Sequence, residues 1–203
     1  MKIIKYDTEK YPFSKIVRSL YEVPLEELDN HDRKKNLALG EDTHTAFHKS
    51  FYKKIDEGWP EFEKLYSSFL REVIFPLFED DVLIYQKYPN IRFHKDHKHP
   101  PGEINIFLPI TKCYGTNTIW TETLPGFGDY HPQEMEYGEF LIAYLNQTRH
   151  GNKTNETDMT RVSFDFRVIP GFAYDENFAG TTATTSKSFK VGEYYDKMTR
   201  KKA

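Results

Sequence analysis

The feature that most constrains what this 203-residue chain can fold into is a change of texture near Asp81. Upstream, Phe47, Phe51, Tyr52 and Ile55 recur at helical spacing. Trp59-Pro60 interrupts the pattern, and Phe62, Leu65, Tyr66, Phe69, Leu70 and Val73 then repeat it. The stretch from about Pro24 to Asp80 is therefore predicted to be mainly helical, with two amphipathic helices. Downstream, short runs rich in Val, Ile, Phe, Tyr and Thr alternate with turn formers: Pro89-Asn90, Pro100-Pro101-Gly102, Gly115-Thr116-Asn117 and Pro125-Gly126-Phe127-Gly128. Strands are predicted near 82–87, 91–96, 103–109, 118–122, 139–144, 148–151 and 160–169. That many short strands with no helical pattern between them argue for an antiparallel sandwich or barrel, mainly β, with the helices bracing one face. The opening MKIIKYD reads as an edge strand. The polar segment from Gly171 reads as a surface wrap or a partly disordered tail.

The length corresponds to one domain, 1–203, comprising a helical part to residue 80, a β core over 81–170 and the tail 171–203. Aromatic residues make up 16% of the chain, which suits flat rings packing on a pleated sheet. Net charge is −3 with basic and acidic residues interspersed, so no single-sign field exists to attract nucleic acid or an anionic membrane. The single cysteine, Cys113, has no intrachain partner, no leader is evident, and no apolar run is long enough to span a bilayer. A cytoplasmic protein acting on a small molecule is the expectation. The N-x-T sequons at Asn146, Asn152 and Asn155 then carry no glycosylation meaning.

On a strand, residues i and i+2 project to one face, so His94 and Asp96 are expected to point together and can bind one ion. His150, predicted on another strand, is placed to be the third ligand. Two histidines and one carboxylate leave adjacent positions open on an octahedral Fe(II), as chelation by a 2-oxo acid and binding of O2 require. Eleven residues after His150 stands Arg161, followed by Ser163. A planar guanidinium beside a hydroxyl offers a bidentate grip for the far carboxylate of a diacid held on the metal.

These blocks resemble the Fe(II)/2-oxoglutarate oxygenases, in particular the phytanoyl-CoA-dioxygenase-like branch that includes streptomycin-biosynthesis oxygenases. The resemblance lies in Phe93-His94-Lys95-Asp96 and in His99-Pro100-Pro101-Gly102-Glu103-Ile104-Asn105 running into Phe107-Leu108-Pro109-Ile110-Thr111. It continues in Asn117-Thr118-Ile119-Trp120-Thr121-Glu122, and in His150-Gly151-Asn152 with Asn155, Thr157, Arg161, Ser163, Asp165 and Arg167. It covers roughly residues 85 to 170. It implies a double-stranded β-helix of jelly-roll or cupin type around Fe(II). It also implies oxidation of a substrate by O2 coupled to conversion of 2-oxoglutarate to succinate and CO2. The carboxylate at Asp96 disfavours halogenation, because halogenating members lack it.

Rival readings remain. A zinc site could use His94, His97 and His99; His44 and His48 are spaced i, i+4 on a predicted helix but lack the glutamate of an HExxH motif; Cys113 has no partner for catalysis. Asn105, Trp120 and Glu122 are candidate substrate contacts, with core packing as the alternative for Trp120, and Gly126 to Tyr130 reads as a closing loop or a plain turn. Acidic groups near the mouth would suit a polar substrate such as an amino sugar, a nucleotide sugar or an amino-acid-like metabolite. A cupin-like isomerase or lyase without 2-oxoglutarate, and a ligand-binding β sandwich without catalysis, are the competing functions.

Overall fold

A computed structural model describes residues 1–31, 46–91, 103–153, 155–182 and 186–200. Among the described residues the chain is mainly β, with antiparallel sheets and a helical layer. In order it forms β1 (Lys2–Lys5), α1 (Phe13–Arg18), α2 (Ala46–Asp56), α3 (Pro60–Phe69), β2 (Val82–Gln86), β3 (Asn90–Ile91), β4 (Ile104–Pro109), β5 (Ile119–Thr121), β6 (His131–Pro132), β7 (Glu139–Ala143), β8 (His150–Asn152), β9 (Ser163–Pro170) and β10 (Tyr195–Thr199). The larger sheet has the order β1-β7-β4-β9-β2-β10, with β3 also pairing β9; the smaller runs β6-β5-β8.

The helical periods form where the spacing predicts. In α2, His48, Phe51 and Ile55 are buried, and in α3, Phe62, Tyr66 and Phe69 are. Pro60 opens α3 at a position whose N–H would have no helical partner in any case. Beyond Phe69 the helix widens into a π-turn, where Phe75 N–H donates to Leu70 O. It then ends in a short 3-10 turn at Phe75–Leu77, where Pro76 has no N–H to continue the ladder.

Strand alternation assigns the two faces of the larger sheet. Ile104, Ile106, Leu108, Phe164, Phe166 and Val168 form one buried surface with the helices. There the Phe164 ring lies 5.6 Å from Phe62 and 5.7 Å from Phe51, Phe166 lies 5.3 Å from Tyr66, and Phe140 lies 5.8 Å from Phe69. Burying each such ring is worth about 1.5–3 kcal/mol, so the helices are fixed to this face by aromatic packing. On the opposite face, Phe107, Leu141 and Ala143 meet Ile119 of the smaller sheet, with Cys113, Met135 and Leu145, in a second apolar cluster. The two sheets therefore face one another across this second cluster.

Both ends of the chain enter the larger sheet. β1 pairs β7 at the edge, as its sequence predicts, with Lys2 and Lys5 at its ends. The segment after Gly171 departs from the expectation of a wrap or disordered tail. Its Tyr195–Thr199 stretch pairs β2 residue by residue, with Tyr195 and Met198 buried. A short strand of mixed polarity like YDKMT carries little signal of its own, and the sheet edge supplies the partner. No helix among the described residues is long and apolar enough to cross a membrane.

Candidate functional site

Pairing within each sheet places the candidate residues. Ser163 lies opposite Pro109, Asp165 opposite Phe107 and Arg167 opposite Asn105, and cross-strand partners share a face. In the smaller sheet His150 lies opposite Thr121 and Asn152 opposite Ile119. Phe107 and Ile119 belong to the apolar cluster between the sheets, so these two sets of residues look at each other across it.

Arg161 precedes β9 by one residue, Val162, and its backbone is held from both sides. The Thr111 hydroxyl accepts the Val162 N–H at 2.9 Å and donates to Thr160 O at 3.1 Å, while Thr160 N–H donates to Glu26 O at 2.7 Å. The side chain then runs over the Phe107 ring, with Cζ 5.5 Å from the centroid. Nη1 donates to Asn152 Oδ1 at 2.9 Å. Nε is buried with no hydrogen-bond partner among the described residues, where no carboxylate pairs with this guanidinium either. Burial pushes its pKa below the ordinary arginine value. A buried, unpaired cation is costly and is usually compensated by an anion, so the donor set fits a carboxylate. Ser163, 2% exposed, begins β9 on this same face.

His150 opens β8. Its Nδ1 lies 2.9 Å from Thr148 O. A carbonyl can only accept, so Nδ1 donates this hydrogen bond, a contact of the kind that orients metal-ligating histidines. The other predicted ligands, His94 and Asp96, lie outside the described residues, as do the rival ligands His97, His99 and His44. His48 is buried in α2 within the helical layer. Among the described residues no group of three His, Cys, Asp or Glu side chains could hold a metal ion.

The tentative substrate contacts separate. Asn105 sits on the inner face, 4% exposed, and its Oδ1 has no hydrogen-bond partner among the described residues. Beside it, Arg167 Nε lies 2.7 Å from Glu103 Oε1, off the axis of a well-formed hydrogen bond. Arg167 Nη2 lies 3.4 Å from Asp165, and Tyr195 donates to Glu103 at 2.7 Å. Burial alone would lower the Arg167 pKa, but Asp165, Tyr194, Glu103 and Tyr195 hold it above its ordinary value.

Trp120 faces away from this space. It pairs with Gly151 and Pro132, alternates with the inward Ile119 and Thr121, donates its indole N–H to Gly115 O at 3.1 Å, and is covered by Lys153 Nζ at 3.4 Å from the ring centroid. Glu122 is fully buried, and both its oxygens accept backbone N–H groups: Arg149 on Oε1 and Gly128 on Oε2, each at 2.8 Å. Both side chains are engaged by their own sheet and loop. Cys113 is buried, and burial pushes its thiol up to about 12.

Asn152 and Thr111 stand among the residues that carry the resemblance, but sequence reasoning gave neither of them a part in holding Arg161. Asn152 follows His150 by two on a strand, a spacing that puts both on one face. Nothing local marks Thr111, whose partners lie about fifty positions away.

Fold and site together define a mainly β protein whose facing sheets enclose a buried guanidinium with no carboxylate partner among the described residues. The chain is 31% identical over 208 residues to the streptomycin biosynthesis protein StrG of Streptomyces griseus, covering 95% of this chain and 96% of StrG, and it belongs to the StrG family. No family model matches it. Among solved structures it is similar to a non-heme monooxygenase described as the ThoJ-Ni complex, with TM-score 0.44 and 11% identity over 98% of this chain and 86% of that one. It is also similar to CytC3 with Fe(II) and alpha-ketoglutarate, with TM-score 0.38 and 14% identity over 84% and 72%.

Proposed function

We propose that this protein is an Fe(II)- and 2-oxoglutarate-dependent oxygenase with a double-stranded β-helix core, acting in the cytoplasm on a small polar metabolite. The carrying observation is Arg161: a guanidinium buried on the inner face, with no carboxylate partner among the described residues and Nε without a hydrogen bond there. In this reading the distal carboxylate of 2-oxoglutarate completes it, aided by Ser163. His94, Asp96 and His150 hold the iron, and His150 Nδ1–H on Thr148 O fixes the ring tautomer. Asn105 Oδ1 offers an acceptor to the substrate from the same face.

Bound iron, with 2-oxoglutarate and O2, supplies oxidising chemistry that yields succinate and CO2 and hydroxylates the substrate. The role of the protein would be to orient 2-oxoglutarate by gripping its far carboxylate with Arg161, and to keep water away from that grip with Phe107 and the buried Arg161 stem. The StrG relationship favours a substrate from small-molecule biosynthesis, such as an amino sugar, a nucleotide sugar or an amino-acid-like compound. In a cupin-like isomerase or lyase the same guanidinium would hold an anionic group of the substrate itself, with no role for 2-oxoglutarate.

Anaerobic addition of Fe(II) and 2-oxoglutarate tests the reading. The expected result is the weak visible charge-transfer band of the chelate, lost in His150→Ala. A colourless wild-type mixture would overturn it. Succinate release stimulated by individual metabolites then identifies the substrate.

A further inference from the structure

Glu122 is a fully buried carboxylate that forms no ion pair among the described residues. Its oxygens accept the N–H groups of Arg149 and Gly128, and its own N–H donates to Arg149 O at 3.1 Å. One side chain thus joins three pieces of chain: the end of β5, the loop 123–129 and the residue immediately before His150. The loop amide reaches it because Gly126 and Gly128 adopt φ of 86° and 70°, the left-handed region that other residues avoid. A second, separate closure of the same loop comes from Thr123 N–H on Asp129 Oδ1 at 3.0 Å.

We propose that Glu122 is a positioning residue that fixes His150 for metal binding and ties loop 123–129 to it, so that ligand and loop move as one body. This rests on His150 being a metal ligand, as proposed above. Burial explains why a carboxylate serves here: it accepts two amides at once, whereas a glutamine presents one acceptor oxygen and sets its own N–H2 against the second amide. Releasing Arg149 lets the start of β8 shift, and support of this kind around metal-binding histidines is typically worth 10- to 100-fold in metal affinity. Asp129 closes the loop without touching Arg149, which separates a loose loop from a displaced ligand.

Mn(II), stable in air, is titrated into the wild type, Glu122→Gln, Asp129→Ala and His150→Ala, and free Mn(II) is read by electron paramagnetic resonance. Glu122→Gln is expected to weaken Mn(II) binding by about 10-fold, in line with other residues that support metal ligands. Asp129→Ala is expected to bind Mn(II) like the wild type, because its loop closure does not reach the ligand strand. Unchanged affinity in Glu122→Gln, or equal losses in both variants, overturns the proposal. Hydrogen exchange on the wild type gives the same test without a variant: Mn(II) should slow exchange in 123–129 together with 148–151, and protection of 148–151 alone overturns the coupling. If His150→Ala binds Mn(II) like wild type, the ligand assignment itself falls. Binding that needs His150 but ignores Glu122 overturns only the positioning role.

Discussion

The Arg161 guanidinium donates from Nη1 to Asn152 Oδ1 at 2.9 Å, while its buried Nε has no hydrogen-bond partner among the described residues. One edge of the group is held, and Nε is left without a partner among the described residues. Asn152 stands two residues from His150 on a three-residue strand, so that strand carries both the histidine and the residue that steadies the arginine.

This arrangement predicts opposite effects on stability and binding. Arg161→Met removes a buried charge that has no carboxylate partner among the described residues, and such a charge is costly to keep out of water. Thermal unfolding of the ligand-free variant should therefore occur at or above the wild-type temperature, while the upward shift caused by 2-oxoglutarate disappears. A variant that unfolds far earlier, or that still responds to 2-oxoglutarate, contradicts the assignment.

Thr111 offers a subtler probe, since its hydroxyl holds the backbone on both sides of Arg161. Thr111→Val keeps the shape and loses both hydrogen bonds, leaving the buried Val162 N–H unsatisfied at a cost of about 1–3 kcal/mol. Urea unfolding should show that loss. Calorimetry should show weaker 2-oxoglutarate binding with metal affinity retained, and equal loss of both would point to general unfolding of the region.

Acid should reveal the Glu122 carboxylate. The Gly128 N–H, and then those of Arg149 and Gly126, hold its pKa below the ordinary value of 4.5 against the opposing effect of burial. A depressed folded-state pKa stabilises the fold above the unfolded value, and that stabilisation is lost as pH falls through the folded value. The stability gap between wild type and Glu122→Gln should be full at pH 6 and shrink below about 4.5. A gap independent of pH would show that the charge is irrelevant.

Cys113 should be inert. It is 1% exposed and burial raises its thiol to about 12, so almost no thiolate exists near neutrality. Iodoacetamide at pH 8 should label the protein only after denaturation, and rapid labelling of the native protein would contradict the burial.

Legibility in the sequence followed the range of the interactions. The periods of α2 and α3 and the strands β2, β4, β5 and β7 could be read locally, because each carries a buried apolar stripe or run bounded by turn formers, whereas β1, largely exposed, was legible from its Ile3-Ile4 pair between lysines. The β8 stretch predicted at 148–151 pairs over His150–Asn152, and β9 begins at Ser163 after a prediction from 160. In both cases the partner strand sets where pairing starts. β10 lay beyond local reading because its five residues gain a strand's conformation only from β2.

The same division runs through the site. By itself the sequence determined that His150, Arg161 and Ser163 occur in an order suited to a metal and a carboxylate, and alternation put Asn105 on a face with Phe107. Tertiary structure decided that Trp120 turns outward under Lys153 and that Glu122 spends its oxygens on the amides of Gly128 and Arg149. Only tertiary structure could show that Arg161 is buried without an acid partner among the described residues, and that Thr111 and Asn152 hold it. The physical reason is that strand alternation fixes which way a side chain points, whereas burial and partnership depend on what another segment brings to meet it.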